Sequence, residues 1–268
     1  MIPLELLFEK DGSPSFDIPE GLERLYGGGL GFEAPCLYAN FVSSLDGVVA
    51  LEGREHSSQM ISGQSEADRF VMGLLRACAD AVLIGAGTLR AAPGSLWTPA
   101  SIYPDAVAEF VELRRNLGRS DEPRLVVLTA RGEIDPNHPA LEAGAMVLTT
   151  SRGATTLKDR LPGSSTVVAL GDDRAINLVD VIATLRSEGH EAVLTEGGPT
   201  VIGGLLQTGL LEELFLTLSP ILAGRSASRG RPGLVEGAEL LPSQSISGDL
   251  LSIRKHGSHL FLRHAIPT

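Results

Sequence analysis

The stretch Val193-Leu194-Thr195-Glu196-Gly197-Gly198-Pro199-Thr200, running on into Val201 to Leu206, constrains this chain more than any other. Ala192 to Leu194 is a short apolar run of the kind that forms a buried strand. Gly197-Gly198 leave that strand without side chains, Pro199 suits a first helical turn, and Val201, Leu205 and Leu206 recur at helical spacing. Such a passage puts unpaired N–H groups and the positive end of a helix dipole at the carboxyl end of a strand, where glycines let an anion approach the main chain. From these residues alone two readings stay open. One is a seat for a dinucleotide pyrophosphate with Glu196 beside it; the other is an ordinary strand-to-helix turn.

A chain of 268 residues with 43% hydrophobic content can bury a large core, as one α/β domain or two smaller ones. No apolar run approaches the roughly 18 residues of a membrane span. The segment Met1 to Glu9 has neither the basic start nor the long apolar centre of a secretory signal, so the expected location is the cytoplasm. Cys36 and Cys78 stand apart from each other and from other ligands, which suggests free buried thiols and no metal site. A formal charge of −11 argues against a nucleic-acid surface, and a phosphorylated ligand would depend on a few local arginines.

Taken in order, residues 1–34 show scattered leucines and the run Gly27-Gly28-Gly29-Leu30-Gly31. This run formally matches a dinucleotide fingerprint, but no strand precedes it and Pro35 follows, so it is read as a flexible connection. Cys36 to Val42 reads as a strand. Ser43-Ser44-Leu45-Asp46-Gly47 reads as a turn before Val48-Val49-Ala50 resumes the strand pattern, and Glu52 to Ser58 as a mobile polar stretch. Ser65 to Ala79 is the clearest helix, with Ser65 as N-cap, Asp68 three residues on, and an apolar face of Phe70, Val71, Leu74, Leu75 and Cys78. Ala81 to Ile84 is a second buried strand ending in glycines, Gly85-Ala86-Gly87-Thr88. Ligands of parallel sheets sit outside the carboxyl ends of strands, so two glycine-rich ends inform jointly.

Further strands are expected at Arg124 to Leu128, Met146 to Thr149, Thr166 to Leu170 and Glu213 to Leu222, with helices at Ala106 to Leu117 and Leu178 to Arg186. Leu250 to Arg254 and His259 to Arg263 flank His256-Gly257-Ser258 as an antiparallel hairpin. The pattern is one α/β domain with an antiparallel edge. There is no Walker A sequence, no nucleophile elbow, no His-Glu-x-x-His and no deaminase zinc signature. A nucleotide-type site without a metal or nucleophile points to redox chemistry carried by a cofactor.

Three segments together resemble the reductase domain of bacterial riboflavin-pathway deaminase–reductases: Ala39 to Gly47, Leu75-Arg76 with Ala79 to Thr88, and Thr195 to Thr200. Gly209 to Leu214, Ser219-Pro220 and Leu222-Ala223-Gly224 continue the match, which spans roughly residues 35 to 265 in order. The resemblance implies a dihydrofolate-reductase-like fold, a three-layer α/β/α arrangement with a mostly parallel central sheet and an antiparallel C-terminal edge hairpin. Residues 1–34 would then be an N-terminal extension to a single reductase domain at 35–268. It also implies a homodimer and the use of NADPH to reduce the ribosylamino group of a phosphorylated aminouracil; the apolar edge Leu214 to Leu222 is where the residues themselves point for the dimer interface.

Carried over by position, Gly197, Gly198, Pro199 and Thr200 fall at the cofactor phosphates, and Ser43, Gly85, Gly87 and Thr88 around the nicotinamide half. Thr129 and Arg131 fall at an adenosine 2′-phosphate, where a guanidinium favours NADPH over NADH. Ser58, Arg76 and Glu196 fall at the substrate, and Glu196, Asp46 and Asn40 are the candidate catalytic residues. Three departures stand out. Asn40 replaces a lysine, Ala91-Ala92-Pro93-Gly94-Ser95-Leu96-Trp97-Thr98 lacks the family's paired aspartates and phosphate-binding arginine, and no deaminase domain is attached. The implied activity is an NADPH-dependent pyrimidine reductase. A pterin or dihydrofolate-like acceptor, or NADPH binding with little catalysis, are the alternatives.

Overall fold

The computed structural model describes residues 1–171, 175–225 and 230–267. Among these, ten strands form one sheet: β1 (Glu5–Glu9), β2 (Cys36–Ser43), β3 (Ala81–Gly85), β4 (Arg124–Thr129), β5 (Ala145–Thr149), β6 (Thr166–Ala169), β7 (Ala192–Thr195), β8 (Glu213–Leu218), β9 (Asp249–His256) and β10 (His259–Ala265). Their order across the sheet is β1-β9-β10-β8-β2-β7-β3-β4-β5-β6. From β8 through β2 to β6 neighbours run parallel, while β10, β9 and β1 pair antiparallel. The helices are α1 (Glu20–Tyr26), α2 (Ser57–Ile61), α3 (Glu66–Ala77), α4 (Ala86–Ala91), α5 (Pro99–Ile102), α6 (Val107–Asn116), α7 (Pro139–Ala143), α8 (Ser151–Leu157), α9 (Leu178–Ser187) and α10 (Pro199–Gln207). None is long and apolar enough to cross a membrane.

The central strands are apolar on both faces, so successive side chains enter two different cores. Tyr38, Val82, Val127 and Leu194 meet Phe70 and Leu74 of α3 and Phe110 of α6 on one side. Leu37, Leu83, Val126 and Val193 meet Val181 and Leu185 of α9 and Ile202 and Leu205 of α10 on the other. This is the expected three-layer arrangement with its antiparallel hairpin.

Helix α3 starts where the capping pattern places it, with Ser65 Oγ accepting the Asp68 N–H at 3.2 Å. Its end is held by the buried Arg114 of α6, which donates to the carbonyls of Arg76, Ala77 and Ala79 at 3.3, 3.1 and 2.8 Å. A guanidinium at a helix C-terminus satisfies carbonyls that have no partner within the helix.

Residues 1–34 are more ordered than their sequence suggests. Strand β1 pairs with β9, and Leu22, Tyr26, Leu30 and Phe32 lie in the same core as α3. The glycine run is packed against the sheet, contrary to its reading as a flexible connection. Arg254 of β9 donates to the Gly29 carbonyl at 3.1 Å and lies 4.0 Å from the Tyr26 ring centre, while Arg263 of β10 donates to the Gly31 carbonyl at 2.6 Å. A Cβ on Gly31 would stand 2.7 Å from Ser15 Cα, so the close approach requires glycine.

Two other expectations change. Val48-Val49-Ala50 does not resume a strand; the Val48 N–H is taken by Ser44 Oγ and the Val49 N–H by the Pro232 carbonyl. Strand β8 ends at Leu218, before Pro220, and it lies inside the sheet between β10 and β2. Leu214 to Leu222 is therefore not an edge. A partly exposed apolar row crosses these strands instead: Phe8, Ile253, Leu262, Leu216 and Phe41 are successive cross-strand partners, Phe8 exposed and the other four half-buried.

Arg263 is buried and makes two 2.8 Å hydrogen bonds to Glu213 besides its bond to Gly31. Replacing it leaves a largely shielded carboxylate and a buried carbonyl unpaired. Arg263→Leu is expected to lower stability by about 3–5 kcal/mol in urea unfolding; a loss below about 1 kcal/mol would contradict this account of how the N-terminal segment is held.

Candidate active site

Strands β3 and β7 are adjacent and parallel, with Leu83 opposite Thr195, and each runs into a helix through glycine. Gly85 and Gly198 are the N-caps of α4 and α10, and neither end carries a side-chain cap. The turn after β7 is fixed by Thr195 Oγ1, which accepts the Gly197 N–H at 3.1 Å, and by the Glu196 N–H, which donates to the Leu83 carbonyl at 3.0 Å. A Cβ on Gly197 would lie 2.9 Å from Val201, so a side chain there would push the helix start out of place.

Both helix starts open on one cavity of about 1010 Å³. That is the upper end of the roughly 300–1,000 Å³ usual for a single small ligand, and suits two ligands side by side. Its wall contains Gly85, Gly87 and Thr88 on one side and Glu196 to Thr200 on the other. Glu196 is locked in place: its two carboxylate oxygens accept from Nε and Nη2 of Arg76 at 2.7 Å each. Both side chains are less than a tenth exposed, and Arg76 Nη1 reaches the Thr98 carbonyl at 3.3 Å. The pair is bidentate and shielded, so it ties α3 to the joint between β7 and α10.

Of the residues singled out in the sequence, Asn40, Ser58, Arg76, Gly85, Gly87, Thr88, Glu196, Gly197, Gly198, Pro199 and Thr200 all line this cavity. Ser43, Asp46, Thr129 and Arg131 stand outside its wall. Ser43 Oγ donates to the Ser44 carbonyl, and Thr129 Oγ1 accepts the Gly132 N–H. Arg131 is exposed, with Glu133 at 3.8 Å. Asp46 accepts from Ser44 Oγ at 2.6 Å and from the N–H groups of Ala223 and Gly224 at 2.9 and 2.7 Å. These hydrogen bonds, that of Ser44 foremost, hold its carboxyl down to about 2. Both Asp46 oxygens thus clamp the turn onto the loop after β8.

The polar stretch Glu52 to Ser58 also belongs to the wall, through Glu52, His56, Ser57 and Ser58. The loop Ala91 to Thr98 brings Ala91, Ala92, Gly94, Ser95 and Trp97, none of them acidic or basic.

Sequence reasoning missed Asp68, Arg69, Met72 and Arg231, which share the cavity. Asp68, Met72 and Arg76 are spaced four apart, so one stripe of α3 faces inward. That spacing was visible, but Asp68 is equally explained as a first-turn residue of a capped helix. The residue is 5% exposed, and burial pushes its carboxyl up to about 6, against weaker opposition from Thr217, His259 and Arg69.

The structure resembles that of a pyrimidine reductase-like protein from Corynebacterium diphtheriae, with a TM-score of 0.68 at 20% identity, covering 94% of this chain and 96% of that one. At the level of sequence, residues 35–254 match the RibD C-terminal domain, and the chain belongs to that family. It is 27% identical over 208 residues to the 2,5-diamino-6-ribosylamino-4(3H)-pyrimidinone 5′-phosphate reductase of Archaeoglobus fulgidus, covering 77% of this chain and 89% of the relative. It is also 27% identical over 199 residues to the riboflavin biosynthesis protein RibD of Escherichia coli, covering 72% of this chain and 50% of that protein.

The raised Asp68 pKa has a definite sign. Below about pH 4 the carboxyl is neutral folded and unfolded, and burial costs it no charge. Between about 4 and 6 the unfolded chain ionises first, so stability falls as pH rises, and above 6 the full cost of about 2–3 kcal/mol is present. Asp68→Asn is therefore expected to raise the melting temperature at pH 7 by roughly 5 °C or more, with little change near pH 4. Equal melting temperatures at pH 7 would contradict the buried, ionised carboxylate.

Proposed function

We propose that the protein is an NADPH-dependent reductase that converts the ribosylamino group of a phosphorylated aminopyrimidine to a ribitylamino group. One observation carries this reading: a single cavity joins two glycine-lined helix N-termini to the buried Arg76–Glu196 pair. The residues present fit the cofactor, because the Gly197-Gly198 turn presents bare backbone to the cavity, with a Cβ on Gly197 pressing on Val201, and both helix ends are free of side-chain caps. When bound, NADPH supplies a hydride equivalent from its nicotinamide ring.

The chain's own residues bind and orient. Gly197, Gly198, Pro199 and Thr200 would hold the phosphates against the α10 N-terminus, and Gly85, Gly87 and Thr88 would border the nicotinamide. Thr129 and Arg131, beyond the neighbouring strand end, would meet the adenosine 2′-phosphate, with the exposed guanidinium turning from Glu133 to the ligand. Ser43 and Asp46 act from behind the wall, fixing the turn after β2.

Arg76 holds Glu196 at the boundary of cofactor and substrate, Ser58 borders the substrate space, and Asn40 offers a neutral hydrogen bond to the acceptor. Orientation and exclusion of water then supply most of the rate. A dihydropterin is the second reading, favoured because the wall between Ala91 and Trp97 offers no cation for a substrate phosphate.

The decisive assay follows loss of NADPH absorbance with the phosphoribosylaminouracil and its 2-amino analogue, beside dihydrofolate. Turnover of a ribosylamino phosphate supports the first reading, and turnover of dihydrofolate alone the second. Glu196→Gln is expected to lower kcat about 100-fold, the range typical of a group acting near the reacting atoms, while NADPH affinity stays within about threefold. A large loss of NADPH binding instead would remove Glu196 from the substrate role. We also propose a homodimer, with a second copy packed on the row from Phe8 to Phe41; Leu262→Glu is expected to sediment as a monomer where the parent sediments as a dimer.

A further inference from the structure

Trp97 is the single tryptophan of the chain, and its backbone is left-handed, with a φ of +57°. A bulky side chain holds that conformation only where its surroundings fix it. The residue is 3% exposed and belongs to the cavity wall, together with Ala91, Ala92, Gly94 and Ser95 of the same loop. Behind it stands His138, the N-cap of α7, with the two ring centres 5.9 Å apart and their planes inclined at 37°.

His138 is 4% exposed, and both of its ring nitrogens are used. Nδ1 accepts the Ala140 N–H at 3.2 Å and so caps α7, which leaves the donor proton on Nε2. Nε2 donates to the Ala92 carbonyl at 3.1 Å. The same carbonyl takes the Ser95 N–H at 3.0 Å, so the turn from Ala92 to Ser95 closes on one atom. A second bond ties the two loops together, from Arg90 Nη1 to the Glu133 carbonyl at 3.1 Å.

The far end of the loop meets the buried ion pair. Thr98 Oγ1 accepts the Ser101 N–H at 3.2 Å and caps α5, and the Thr98 carbonyl receives Arg76 Nη1 at 3.3 Å. A run of contacts thus leads from the imidazole through the indole and the Thr98 carbonyl to the guanidinium that grips Glu196.

We propose that His138 is a positioning residue for the acceptor: by holding Ala92 and Trp97 it sets the cavity wall beside the Arg76–Glu196 pair without itself lining the cavity. The kinetic consequence rests on the reductase reading. Between Ala91 and Trp97 the wall has no acid or base, so what it offers an acceptor is shape and a flat apolar surface, and both depend on where Trp97 stands. The candidate phosphate seat is fixed separately, through Thr195 Oγ1 and the Leu83 carbonyl, and does not rely on His138.

Two substitutions separate the two nitrogens. In His138→Asn the short amide keeps a cap for α7, a position asparagine favours, but falls short of Ala92. In His138→Gln the amide nitrogen stands where Nε2 stood. With whichever of the phosphoribosylaminouracil, its 2-amino analogue and dihydrofolate the parent reduces, His138→Asn is expected to raise the acceptor KM about 10-fold, roughly the net effect of one hydrogen bond. Its kcat should stay within about threefold, the mark of lost ground-state binding, and its NADPH affinity should not change. His138→Gln should keep the acceptor KM within about threefold of the parent. In His138→Asn alone, Trp97 emission should move to longer wavelength and become open to acrylamide quenching, while NADPH affinity reports that the variant is folded.

A parent-like KM or a parent-like emission in His138→Asn overturns the proposal. So does an equal rise of KM in both variants, which is the outcome of a role in folding alone. The emission measurement needs no turnover. If the parent reduces none of the acceptors, the reductase reading fails on its own; a shift confined to His138→Asn then still upholds the hold of His138 on the wall, and its absence overturns it.

Discussion

The bidentate pair between Arg76 and Glu196 is the contact on which the cavity depends. It joins the inward stripe of α3 to the joint where β7 becomes α10, and both partners are shielded from water. A buried ion pair brings little net stability, because desolvation offsets the attraction, yet removing one partner strands the other. Its effect here is geometric. Arg114 fixes the end of α3 through the carbonyls of Arg76 to Ala79, Leu83 fixes the backbone of Glu196, and the pair locks the two together. One wall of the cavity and the candidate phosphate seat are thereby held in register.

The same economy of buried arginines holds the rest of the sheet. Arg254 and Arg263, on the antiparallel strands, draw in the carbonyls of the glycine run that precedes β2. Glycines without side chains and arginines with several donors complement each other where a loop must lie flat on a sheet. The polar groups of a buried connection are thus satisfied without secondary structure, as burial demands.

Much of this was legible in the sequence. The strands from Cys36, Ala81, Arg124 and Ala192 are continuous apolar runs bounded by turn residues, and Ser65 marks the start of α3 as its capping preference dictates. The two glycine-rich strand ends also meet at one cavity, because parallel neighbours end side by side. Other features were hidden for physical reasons. Strand β1 alternates poorly and relies on pairing with β9, some 240 residues away in the chain. The glycine run looks flexible until the arginines that bind it are in place. Asp68 is spelled like a capping residue, and only the packing around it shows a buried side chain on the cavity wall. Ser43 and Asp46 lie next to the site in sequence, but Ser43 is buried and bonds the Ser44 carbonyl, and Asp46 spends its carboxylate on the loop after β8.

The central claim is that a hydride passes from cofactor to acceptor within this cavity. The most direct measurement supplies NADPH deuterated at one face of the nicotinamide C4 and weighs the product by mass spectrometry. The account predicts a ribitylamino product heavier by one mass unit with one labelled face, and unlabelled product with the other. Reduced product that carries no deuterium from either face would contradict it.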